Sequence, residues 1–167
     1  MISTISDGIA ENDWISLKLS DLYSEFSVLC SAVSEICTEE TCPIMKSRSG
    51  LVYYWADPGL RPQLVSGRRY MEKLMSWAEC FLTQESPEAT FIPKVKIFCR
   101  RFFRVYAHLF GEHHGELISM EKHLRFSLFH FLLFMKEFNV LVNRRDAEPL
   151  LYILTSFGIP NLHFPAE

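Results

Sequence analysis

Between Lys96 and His114 the chain reads K-I-F-C-R-R-F-F-R-V-Y-A-H-L-F-G-E-H-H, and two kinds of chemistry overlap there. Arg100, Arg101 and Arg104 recur at helical spacing, with no acid between Lys94 and Phe110 to neutralise them. Guanidinium groups so spaced converge on the solvent side of a helix, where they can hold an anion such as a phosphate through charge-assisted hydrogen bonds. His108 and His113 form a His-x4-His pair with zinc-ligand spacing. Far upstream, Cys37 and Cys42 bracket a short loop. The four together would offer zinc two thiolates and two imidazoles from two distant segments. Four protein ligands leave no position for water, so such a zinc is structural. A zinc hydrolase would need an open position and a base such as Glu112 or Glu116. His114 rivals His113 as the fourth ligand. Cys30, Cys80 and Cys99 read as packed thiols, and His123 and His130 as core or partner-facing histidines.

Helices must position these groups. Phe98, Phe102, Val105 and Leu109 form the apolar row of the arginine-bearing helix, which Gly111 is expected to end or bend. Histidines five apart do not share a face of an unbroken helix, so the helix must stop or distort between them. Upstream, Ile15, Leu19, Leu22, Phe26, Leu29, Val33 and Ile36 alternate steps of four and three, predicting a helix over 12–36 capped by Asn12 or Asp13. Pro43 stops it. Runs 51–56 and 63–65 flank D-P-G and predict a β-hairpin or ordered loop. Ser66 caps a second helix with Tyr70, Leu74, Trp77 and Phe81 on one face, and 83–94 reads as a Pro-interrupted connection. A fourth helix is predicted over 115–139, its core face Leu117, Met120, Leu124, Leu128, Phe131, Met135 and Phe138. A last short one follows over 148–157, with Gly158 after it. Four long amphipathic helices and little strand predict a mainly α fold, a helical bundle. The two cysteines and two histidines would staple the first helix to the third.

The chain has 167 residues, 49% of them hydrophobic and 14 of them Phe, enough for one domain with a real core. The expected division is an N-terminal tail over 1–11, a folded core over 12–158 and a C-terminal tail over 159–167. Net charge is −3, so the whole molecule does not attract nucleic acid. Its distribution is uneven: residues 1–45 hold eight acids and one base, Lys18, whereas 94–110 hold five bases and no acid. That polarity suggests two binding faces of opposite sign. Asp7, Glu11 and Asp13 interrupt any early apolar run, and the run 126–135 is short of the ~18–20 residues a membrane span needs. An odd five cysteines without a secretory signal fit a reducing, intracellular compartment.

N-D-W-I at 12–15, C-T-E-E-T-C-P at 37–43, Y-x-W-A-D at 53–57 and L-M-S-W at 74–77 occur in that order. P-K at 93–94, R-R-F-F-R-V-Y-A-H at 100–108, H-L-x-x-S-x-x-H-F at 123–131 and K-E-F-N at 136–139 follow. In these blocks the chain resembles the Mob (phocein) family of kinase co-activators over nearly its whole length. The resemblance implies a single Mob-type domain, a helical bundle with a four-helix core, short helices and a small β-hairpin. It implies a structural Zn2+ on Cys37, Cys42, His108 and His113. It implies a non-enzymatic adaptor that binds the N-terminal regulatory region of an NDR/LATS-class AGC kinase through the acidic first helix, centred on Trp14, Asp21 and Glu25. The family's Lys-Arg-x-x-Arg phosphopeptide pattern falls on Arg100, Arg101 and Arg104, implying a phosphorylated upstream kinase or scaffold as second partner in Hippo or mitotic-exit type signalling. The phocein-like alternative is a subunit of a striatin–phosphatase assembly that activates no kinase. Against the family pattern, the chain starts close to the first helix, which puts an N-terminal self-masking arm in doubt. The turn after His113 is about two residues short, which leaves His113 and His114 both open as ligands.

Overall fold

The computed structural model describes residues 10–166. Most of the tail expected over 1–11 therefore lies outside the described residues. Three long helices come first: α1 (Glu11–Val33), α2 (Gly67–Thr83) and α3 (Glu88–Glu112). A 3-10 turn at Ile118–Met120 leads into α4 (Glu121–Glu137). The short helices α5 (Arg144–Ala147) and α6 (Leu151–Leu154) follow, each continued by a 3-10 turn.

The predicted apolar rows are the buried ones. Ile15, Leu19, Leu22, Phe26, Leu29 and Val33 of α1 are all buried, as are Tyr70, Leu74 and Phe81 of α2. α3 is the central element: every residue from Val105 to Phe110 is buried, so its C-terminal half is covered on all sides. Phe102 sits edge-on to Phe26 of α1 at 4.4 Å and stacks on Phe98 at 4.1 Å. Each such aromatic removed from water contributes about 1.5–3 kcal/mol before the contact geometry is counted. Tyr106, fully enclosed, shares a short hydrogen bond with Ser127 of α4, which satisfies both hydroxyls.

Several expectations need correction. α1 is capped by Ala10 without a side-chain bond, not by Asn12 or Asp13, and it ends at Val33 rather than Ile36. Ser66 does cap α2, its hydroxyl accepting from the Arg69 amide at 3.0 Å. The connection expected over 83–94 shrinks to 84–87, because α3 starts at Glu88 and runs through Pro93. Burial of Phe91 and Val95, with Phe91 against Phe81 at 6.0 Å, outweighs the one backbone bond that the proline deletes. Gly111 lies one residue before the end of α3, and it also lets the loop over 43–66 come close. A Cβ there would lie 2.7 Å from the backbone nitrogen of Arg48. That loop carries two isolated antiparallel bridges, Lys46 with Val52 and Trp55 with Gln63, and no extended hairpin. The predicted helix over 148–157 is broken into short turns and begins four residues early, where the Asn143 side chain accepts from the Asp146 amide at 2.9 Å. Residues 159–166 do not hang free: Ile159, Leu162 and Phe164 pack on the core, and the Arg144 amide donates to the Pro165 carbonyl at 2.7 Å. Among the described residues no helix is long and apolar enough to cross a membrane.

Candidate metal centre and basic face

The loop after α1 and the end of α3 meet at four buried side chains, Cys37, Cys42, His108 and His113, whose ligand atoms all lie within 4.8 Å of one another. Thr41 shapes the cysteine loop: its hydroxyl donates to the Ile36 carbonyl at 2.7 Å and accepts from the Thr38 amide at 2.8 Å. α3 stops at Glu112, so His113 leaves the helix path and turns back toward His108, ring centroids 5.2 Å apart. Cys37 Sγ is 3.4 Å from His108 Nε2, and Cys42 Sγ is 3.3 Å from His113 Nε2. Zinc–sulfur and zinc–nitrogen bonds of ~2.3 and ~2.0 Å at tetrahedral angles put such atoms about 3.5 Å apart, so the donor set fits a metal ion.

The outer nitrogens are equally well placed. His108 Nδ1 donates to the Lys46 carbonyl at 2.7 Å, and His113 Nδ1 donates to the Glu116 carboxylate at 2.7 Å. Both bonds select the tautomer that leaves Nε2 free to coordinate. Glu116, one of the two bases a hydrolytic reading offered, is occupied in orienting His113. Burial lowers the pKa of His108 and favours the neutral, coordinating imidazole. Burial, with the neighbouring Cys42 thiol, pushes the Cys37 thiol up; a bound cation would reverse that by stabilising the thiolate. His114 is exposed and outside the cluster. Gly67, the first residue of α2, closes the fourth side: a Cβ there would stand 2.7 Å from His108 Nε2 and 2.9 Å from Cys37 Sγ. Its amide also donates to the Cys42 carbonyl at 3.0 Å. The cluster thus joins the loop after α1 to α3, with the start of α2 packed against it.

The arginines differ from their expected common exposure. Arg100 is exposed, while Arg101 and Arg104 are half-buried. Arg101 lies over Trp55 at 4.0 Å and Trp77 at 4.8 Å and donates to the Ala56 carbonyl. Cation–π contact on two indoles holds its planar group flat without a carboxylate. Arg104 Nε pairs with Asp146 of α5 at 3.0 Å, and its guanidinium lies 5.2 Å from the Tyr53 ring. The statement that no acid neutralises the triplet is therefore corrected for Arg104: Asp146, 42 positions away, supplies one. Among the described residues neither Arg100 nor Arg101 has a carboxylate within ion-pair distance.

On α1, Trp14, Asp21 and Glu25 sit at steps of seven and four and so share one stripe. Asp21 is exposed, and Glu25 accepts from His130 Nδ1 of α4 at 2.8 Å. Lys18 lies over the Trp14 ring at 4.8 Å, inside the same stripe, so the face is less uniformly acidic than the composition implied. Phe126 of α4, two-thirds exposed, stands beside His130 at 6.3 Å and gives this face an apolar border.

A sequence model of the Mob1/phocein family matches residues 2–150. The chain belongs to the Mob1/phocein family. It is 31% identical over 159 residues to MOB kinase activator-like 2A of Arabidopsis thaliana, covering 87% of this chain and 73% of that protein. It is 32% identical over 158 residues to MOB kinase activator-like 1 homolog A of Dictyostelium discoideum, covering 87% and 74%. To MOB kinase activator-like 3 of Drosophila melanogaster it is 33% identical over 152 residues, covering 83% and 69%.

In this Mob1/phocein chain the four metal-ligating candidates are brought together as the family resemblance implies, and they could hold a metal ion. Sequence reasoning missed Gly67, Asp146 and the Trp55–Trp77 pair. A glycine at the first position of a helix already capped by Ser66 is the one signal that pointed to a close approach. Of the three cysteines read as packed thiols, Cys99 is buried and Cys30 half-buried, but Cys80 is exposed.

Proposed function

We propose that this Mob1/phocein protein is a non-catalytic adaptor that binds and activates an NDR/LATS-class kinase, with Zn2+ as a structural ion on Cys37, Cys42, His108 and His113. The names of its relatives, each a MOB kinase activator-like protein, support the kinase partner. Two thiols and two imidazoles with both outer nitrogens satisfied suit zinc, which would staple the loop after α1 to α3 and leave no site for a substrate. The kinase would dock on Trp14, Asp21 and Glu25. A phosphorylated Ser/Thr peptide would dock on Arg100, Arg101 and Arg104. The carrying observation is that the two faces border different elements: Glu25 is tied to α4, whereas Arg104 is tied to α5 and Arg101 to the loop over 43–66. One molecule can then hold two proteins, within the cell, as a single domain.

Titration of the recombinant N-terminal regulatory segment of an NDR/LATS kinase tests the first face. Asp21→Lys, at an exposed position, should weaken docking at least fivefold in low salt. Unchanged affinity removes Asp21 from the site, and binding to striatin in place of the kinase segment selects the phocein-like role. For the second face, Arg100→Ala should weaken a phosphothreonine peptide by about 10- to 100-fold, the worth of one charge-assisted phosphate contact of ~1.5–3 kcal/mol. Fluorescence anisotropy with phosphorylated and unphosphorylated peptides reads this out. Equal affinity for the two peptides in the native protein defeats the reading.

A further inference from the structure

A groove of about 780 Å³ runs between α3 and the C-terminal segment, lined by Lys96, Arg100, Arg145 and His163 among others, and no acid lines it. Its floor is apolar, with buried Val142 and half-buried Leu141 and Phe164. The C-terminal wall is held by the Arg144 amide bond to Pro165 and by Lys136 Nζ donating to the Pro160 carbonyl at 2.6 Å. Among the described residues Lys96, Arg100 and Arg145 join no ion pair, and all three are exposed. A protein of net charge −3 thus concentrates unneutralised cations in one walled channel, next to the arginines of the proposed phosphopeptide face.

We propose that this groove binds a carboxylate-rich stretch of the same peptide whose phosphorylated residue meets Arg101 and Arg104; the inference rests on that reading and extends it. Lys96, Arg100 and Arg104 stand one above the other on α3, and eight residues of helix rise about 12 Å. An extended peptide covers that distance in about three to four residues. The acidic residues therefore lie three and four positions from the phosphorylated one, facing Lys96 and Arg145. Arg100, shared between groove and phosphate face, links the two. A groove whose lining includes Leu141, Val142 and Phe164 suits a peptide with apolar side chains better than a nucleic-acid backbone.

The test uses the full chain and labelled phosphothreonine peptides with neutral flanks, with Glu at −3 and −4, or with Glu at +3 and +4. One acidic peptide should bind at least fivefold tighter than the neutral one at low ionic strength, and the gain should shrink in 0.5 M salt, where exposed charges are screened. Lys96→Gln with Arg145→Gln should abolish the gain, bringing the acidic peptides to the affinity of the neutral-flank phosphopeptide measured on the same variant. No gain on either side, or a gain that survives in the variant, overturns the proposal. So does tighter binding of a single-stranded oligonucleotide of equal charge. An unphosphorylated peptide rich in Glu separates this inference from its foundation. If it binds in a Lys96- and Arg145-dependent way while phosphate adds nothing, the groove stands and the phosphopeptide reading falls. If neither peptide binds, both fall.

Discussion

Cys42→Ser should strip the protein of its metal and lower its melting temperature by roughly 8–16 °C. The metal content, one zinc per chain in the native protein and none in the variant, is read by elemental analysis. The cluster ties the loop after α1 to the end of α3 through one set of side chains, with the start of α2 packed against it at Gly67. Structural zinc contributes on the order of 10 kcal/mol of apparent free energy in small zinc peptides that have little other core. Here the loss is softened, because Phe26, Phe98 and Phe102 still pack α1 against α3 without the ion. A net loss of about 4 kcal/mol corresponds to roughly 8–16 °C for a chain of this size. Chelation of the native protein should give the same shift, and zinc readdition should reverse it. A native protein that purifies without zinc, or melts unchanged after chelation, refutes the structural ion.

Arg104→Ala should destabilise the fold by about 3–5 kcal/mol, the cost of leaving a buried carboxylate without its partner. Asp146 is 3% exposed, and among the described residues Arg104 Nε is its side chain's one basic contact. The Asp146→Leu variant removes the charge as well, so the double variant Arg104→Met with Asp146→Leu should recover most of the loss. Urea unfolding of Arg104→Met, of Asp146→Leu and of the double variant measures the coupling directly. Additive losses would mean that the pair is not coupled. The result bears on function, since any loss of peptide binding in Arg104→Ala mixes folding with recognition. Arg100, exposed and unpaired among the described residues, is the cleaner probe of the proposed phosphate face.

Much of the fold was legible because its signals are local. The four-three alternation of α1 placed all but one of its predicted core residues, since a helix that buries one face needs only its own periodicity to say which. Ile36 was the exception: the chain leaves the helix at Ser34, and position 36 is only half-buried. Ser66 was found as a cap because the capping bond spans three residues. The missed elements were those where packing overrode a local rule. Pro93 reads as a break, yet the aromatic contact of Phe91 with Phe81 carries α3 through it. Gly111 reads as a helix end, yet it also makes room for the backbone of Arg48, which no local pattern reveals.

By itself the sequence determined the helical faces, the pair of cysteines and pair of histidines, and the uneven charge, because each is set by residue type and by spacings of a few positions. Only the tertiary structure decided that His113 rather than His114 turns into the cluster, that Gly67 brings α2 against it, and that Asp146 claims Arg104. Those outcomes depend on partners far apart in sequence, as with Arg104 and Asp146 at 42 positions and Cys37 and His108 at 71. Which distant groups meet is selected when the apolar faces of α1, α2 and α3 pack together, and that step fixes charges and ligands no short spacing can locate.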